Sequence, residues 1–108
     1  MFDLFSKKKI DIEAAKYFWV WFEEQEEWII ANWKISSMDV LNAIYAVLDP
    51  VFPYEKKYGL EFQFGFHDGK GEFEFFHARQ PALKRDAETL KSMMPEKIAE
   101  RWTFIIDK

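Results

Sequence analysis

The chain has 108 residues and a formal net charge of −4, and it contains no cysteine. That length makes one domain of common size. The missing cysteine excludes disulfides, thiolate catalysis and cysteine-based zinc sites. An aromatic fraction of 19%, with 12 Phe and 5 Trp, excludes low-complexity disorder.

Residues 1–10 read as an N-terminal tail, with Phe2, Leu4 and Phe5 able to pin it to the body. The basic residues Lys7, Lys8 and Lys9 follow a very short apolar stretch, the wrong order and length for a secretory signal. No apolar run approaches the ~20 residues a membrane span needs. With no longer basic run, an acidic chain lacks the phosphate-neutralising charge that drives nucleic-acid binding. The expectation is a cytoplasmic protein with neither a membrane nor a nucleic-acid partner.

Residues 11–108 read as a single α+β domain. Asp11 suits an N-cap, and no Gly or Pro interrupts the chain from Ile12 to Trp33, so one long helix is predicted there. Ser36 and Asp39 have capping-box spacing. Val40, Ile44, Val47 and Val51 follow helical periodicity, and Pro50 stops that second helix at Asp49. A connection from Val51 to Gly59 follows.

Leu60, Phe62, Phe64 and Phe66 then alternate with polar residues, as a half-buried strand does. "HDGKG" signals a hairpin. A turn at Asp68-Gly69 pairs Phe64 with Phe73 and Phe62 with Phe75. A turn at Gly69-Lys70 pairs Phe66 with Phe73. Both keep the phenylalanines on one face. Pro81 opens a third helix with Leu83, Ala87, Leu90 and Met94 on one side, and Pro95 ends it. "EKIAER" is a short turn, and Trp102, Phe104 and Ile106 mark a closing strand. The order α-α-β-β-α-β implies a three-stranded, mainly antiparallel sheet with helices packed on one face.

The first helix carries the strongest functional signal. On a helical wheel Phe18, Phe22, Ile29 and Trp33 share one sector. Tyr17, Trp21 and Trp28 share a second, and Trp19 lies with Ile30 in a third. The apolar arc spans roughly 220°, where one core contact needs about 100°. Three coverings fit: the second helix and the tail, a protein partner or second copy, or a small molecule. Tyr17, Trp21, Trp28 and Trp19 are therefore the candidate partner-binding residues, since aromatics are enriched in interface cores.

Elsewhere, His67 lies on the polar strand face and opposes Glu72 in one register. The pair forms the alternative candidate, a small-ligand site at the helix–sheet boundary. His77 follows the parity of Phe73 and Phe75 and reads as a strand-end core residue. Helical geometry splits the run Glu23, Glu24, Glu26 and Glu27: Glu23 and Glu27 share a face while Glu26 turns away, and a solvated helix face is the reading rather than a pair of catalytic carboxylates. No phosphate loop, zinc-protease or nucleophile-elbow motif occurs. No catalytic residue, metal or cofactor is expected.

Phe18, Trp19, Trp21, Phe22 and Glu26, then Met94, Pro95 and Glu96, then Trp102 and Phe104 match a pattern. It resembles that of a group of small uncharacterised bacterial proteins, a domain of unknown function with an F-W-x-W-F-x-x-x-E helix and a closing W-x-F strand. The resemblance covers most of the chain from about residue 17. It departs after the hairpin, where His77-Ala78-Arg79-Gln80 replaces a Ser-Ala-Asp-Gly type turn. It implies a bacterial, cytoplasmic, single-domain α+β protein and no particular activity. Together these features point to a non-enzymatic interaction module, immunity- or inhibitor-like or a dimer.

Overall fold

The computed structural model describes residues 9–55 and 60–108. Phe2, Leu4 and Phe5, and the end of the connection that closes on Gly59, lie outside the described residues. Helix α1 runs Ile12–Asn32, and the Asp11 carboxylate accepts the Ala14 amide at 3.0 Å, as its capping role requires. Helix α2 runs Ser37–Leu48 and passes into a 3-10 turn at Asp49–Val51. Ser36 is its N-cap but makes no side-chain bond, so the expected capping box does not form. Its ψ of 55° lies outside the extended region usual for a capping residue.

Strands β1 (Glu61–His67) and β2 (Lys70–Phe76) pair antiparallel with Phe64 opposite Phe73 and Phe62 opposite Phe75. This is the Asp68-Gly69 register. Both turn residues have positive φ, 53° and 77°, the geometry of a two-residue hairpin turn whose twist matches its strands. Helix α3 (Pro81–Ser92) and the short α4 (Glu96–Ala99) then carry the chain to β3 (Trp102–Asp107). β3 lies parallel to β2, giving the sheet order β1-β2-β3. The sheet is thus mixed, because a strand reached through helices can return beside its predecessor in the same direction.

Helices cover one face of this sheet. There Phe73 stacks on Phe62 at 5.1 Å and on Phe104 at 5.3 Å, a row of rings across all three strands. Phe18 and Phe22 of α1 meet Phe73 edge-on. Val40, Ile44 and Leu48 of α2 and Leu83, Ala87 and Leu90 of α3 complete the buried core. The other sheet face carries Glu61, Gln63, His67, Lys70, Glu72, Thr103 and Asp107, all exposed.

Candidate functional site

Helix α1 separates its aromatics into two populations. Phe18, Phe22 and Ile29 are fully buried against the sheet. Trp19 belongs with them: it is only 3% exposed, and its indole N–H donates to the Leu90 carbonyl at 2.9 Å. That carbonyl is in the last turn of α3 and also accepts the Met93 amide at 3.1 Å. Trp19 is therefore a core strut between two helices rather than a partner-binding residue. Its apolar sector faces α3, a second covering element that the wheel alone did not identify.

The outer side differs. Tyr17 is 59% exposed, Val20 52% and Trp28 37%, while Trp21 is half-buried against the core. Tyr17 and Trp28 are separated by about 16 Å along the helix at 1.5 Å per residue. Glu23, Glu24 and Glu27 are exposed around them. Beyond the helix end, Ile35 is 81% exposed and Met38 64%.

Glu26 does not join the solvated acidic face. It is buried, and its carboxylate accepts from Arg101 Nε at 2.6 Å, from Arg101 Nη2, and from the Trp102 indole N–H at 2.9 Å. The Arg101 hydrogen bonds hold its pKa below the usual carboxylate value. Burial opposes them, and the Trp102 N–H reinforces them. Phe22 packs edge-on against the same indole at 5.0 Å. This joint ties the middle of α1 to the start of β3.

The polar strand face holds both members of the second candidate pair. His67 stands opposite Lys70, and Glu72 stands opposite Gly65, so His67 and Glu72 are not cross-strand partners. Both nonetheless line one depression of about 430 Å³, together with Gln63, Lys70 and Glu74. Gly65 forms its floor because it leaves a gap in the side-chain layer. Trp33 reaches around the β1 edge to this gap, meeting His67 edge-on at 5.3 Å and Phe64 at 6.4 Å. The depression opens on the outer sheet face, not at the helix–sheet boundary. Gln63 donates to Glu74 at 2.7 Å, and among the described residues no group of three potential metal ligands converges.

A third cluster was invisible in the sequence. The Tyr54 hydroxyl donates to buried Asp86 at 2.6 Å, and Arg85 Nε donates to the same carboxylate at 2.9 Å. Burial pushes the Tyr54 phenol well above the ordinary 10.0, and Asp86 and Glu55 push it further. The raised value means that Tyr54's contribution is fully present below pH 10.0 and is lost as pH rises further. In a spectrophotometric titration, one of the tyrosines is expected to stay protonated until the chain unfolds, and the Tyr54→Phe variant to lack that late step. Tyr54→Phe should also destabilise by about 2 kcal/mol, since it strips a hydrogen bond from a buried carboxylate.

Comparison of the chain with protein-family models, with curated proteins and with solved structures gives no match. Among the described residues no helix is long and apolar enough to cross a membrane.

Proposed function

We propose that the protein is a non-enzymatic interaction module that docks a basic protein partner on the outer stripe of α1. The observation that carries this reading is the exposure of Tyr17, Val20 and Trp28 on one side of a rigid helix. Large aromatics at an interface centre supply most of the binding energy in many complexes. The exposed Glu23, Glu24 and Glu27 around them favour a partner with Lys or Arg at its rim, because complementary charge speeds encounter and excludes acidic competitors. An immunity- or inhibitor-like role fits such a surface.

The test compares wild type with Tyr17→Ala/Trp28→Ala in pull-downs from the source cells. Both side chains are outside the core, so the double variant is expected to melt within about 3 °C of wild type. A basic protein should be recovered with wild type and lost with the variant. Recovery of the same proteins by both, or of an acidic partner, removes the basis of the reading.

A second reading is a small-ligand site, favoured by the shared depression of His67 and Glu72. A native-state ligand must raise the melting temperature. An unchanged melting temperature across a metabolite and divalent-metal screen counts against it.

A further inference from the structure

The hairpin register decides which main-chain groups of the sheet are free. The Gly71 amide donates to the Arg101 carbonyl at 2.7 Å, so the odd-numbered residues of β2 point at β3 and its even-numbered ones point at β1. Those even-numbered residues stand opposite Glu61, Gln63, Gly65 and His67. The N–H and C=O groups of Phe62, Phe64 and Phe66 therefore point away from the sheet, along the outer edge of β1. None of them meets a hydrogen-bonding partner among the described residues. The register is unbroken from Glu61 to His67, with no bulge, Pro or Lys to blunt the edge. The edge at β3 differs. Trp102 and Phe104 are only 3% and 1% exposed, main chain included, so the fold itself closes that edge.

Part of the β1 edge lies in a cleft. Leu41, Asn42 and Tyr45 of α2 face Glu61, Phe62 and Gln63 across about 460 Å³. Leu41 and Tyr45 are one helical turn apart and form an apolar wall, and Tyr45 is exposed. Among the described residues Glu61 is the only charged one that lines the cleft, and it is exposed and makes no ion pair. Trp33 stands at the far end, with its ring centre 6.4 Å from that of Phe64. The open stretch from Glu61 to Phe64 is about 14 Å long, room for about four residues of another strand.

The geometry points to this cleft as a docking site for an extended peptide segment of a partner protein, added to the sheet as a fourth strand. The free N–H and C=O of Phe62 call for an extended main chain, because a helical segment has already satisfied its own. In such additions the main-chain bonds give affinity, and pockets for alternate side chains give specificity. Alternate residues of the incoming strand face opposite sides of the sheet. Those on the helix side meet Phe62, Leu41 and Tyr45, which selects apolar residues. Those on the other side meet Glu61, where Lys or Arg makes the favourable cross-strand pair. The ligand is thus a short segment that alternates apolar and basic residues. The cleft shares no residue with the outer stripe of α1.

The test is 1H–15N NMR of the full chain with the probe acetyl-Lys-Val-Lys-Ile-Lys amide. In the free chain the Phe62 amide should exchange with solvent faster than the Gln63 amide, which is paired with β2. Saturating peptide should slow Phe62 exchange by at least about tenfold. Glu61→Lys and Tyr45→Ala should each weaken binding by about fivefold, since both side chains are exposed and each removes one side of the recognition. N-methylation distinguishes main-chain pairing from side-chain contact: methylating one set of alternate peptide amides should abolish binding, and methylating the other set should not. Absence of a saturating shift at Phe62, binding that survives both methylated sets, or binding indifferent to Glu61→Lys overturns the inference. So does slow Phe62 exchange in the free chain that quickens on dilution, which would mean that the edge pairs with a second copy.

Discussion

Glu26→Ala is expected to destabilise the protein by about 3 kcal/mol, because it removes one member of a buried, hydrogen-bonded ion pair. At about 4 °C per kcal/mol for a domain of this size, the melting temperature falls by roughly 12 °C. The loss has two parts. The Trp102 indole N–H is buried and loses its acceptor, and Arg101 loses its carboxylate. Glu26→Gln separates them, since an amide oxygen can still accept from the indole while the amide NH2 faces Arg101. Its pH dependence is also predictable. The folded pKa lies below the ordinary 4.5, so the ionised carboxylate is the form the fold prefers. Its contribution is present above the unfolded value and is lost as pH falls through the folded one. The stability gap between wild type and Glu26→Gln, measured by urea denaturation, should be widest above ~pH 5 and close as the carboxylate protonates. A gap that stays constant down to ~pH 2.5 would mean that the ion pair contributes nothing.

Local pattern made much of this fold legible. Alternating phenylalanines and an Asp-Gly turn limited the hairpin to two registers, and the positive φ of Asp68 selects one of them. Absence of Gly and Pro, with Asp11 in front, delimited α1 to within a residue of its observed end. What stayed hidden depended on distant partners. Glu26 lies on the wheel between Phe22 and Trp19, inside the apolar sector, and that position was a usable sign of burial. Its cation is 75 residues away, and no local pattern reports such a pairing. The parallel placement of β3 is likewise a property of the crossover and not of its own six residues. Trp19 and Trp28 are the same residue type on the same helix, yet one is core and the other is surface. Only the position of α3 decides between them.

Phe18, Trp19, Phe22, Glu26, Trp102 and Phe104 lie in one packed unit. Phe18 meets Trp19 edge-on, Trp19 meets Phe104, Phe22 meets Trp102, and Glu26 accepts from Trp102. The spacing of these residues is thus the spacing needed to seat α1 on β3. The candidate partner surface, of which Tyr17 and Trp28 are the most exposed aromatics, is mostly outside that unit.

The second large effect is expected at Gly71. A Cβ built there would lie 2.7 Å from Trp102 Cζ3 and closer still to two other atoms of the ring. Alanine ordinarily improves a strand position by roughly 0.5–1 kcal/mol over glycine, because glycine gives up more backbone entropy on folding. Here the sign should reverse, since the indole has no room to retreat. Glu26 holds its N–H at 2.9 Å, Phe22 abuts its face at 5.0 Å, and Phe66 closes the remaining side at 5.5 Å. Overpacking of this kind costs about 3 kcal/mol when neighbours cannot shift. Trp102→Phe shortens the ring that the new methyl meets, so Gly71→Ala should cost less than ~1 kcal/mol in that background. A double-mutant cycle by urea denaturation should then give a coupling of about 2 kcal/mol between the two positions. If Gly71→Ala is neutral in the wild-type background, the indole is free to move. The joint between α1 and β3 would then be looser than its contacts imply, and the effect predicted for Glu26→Ala would shrink with it.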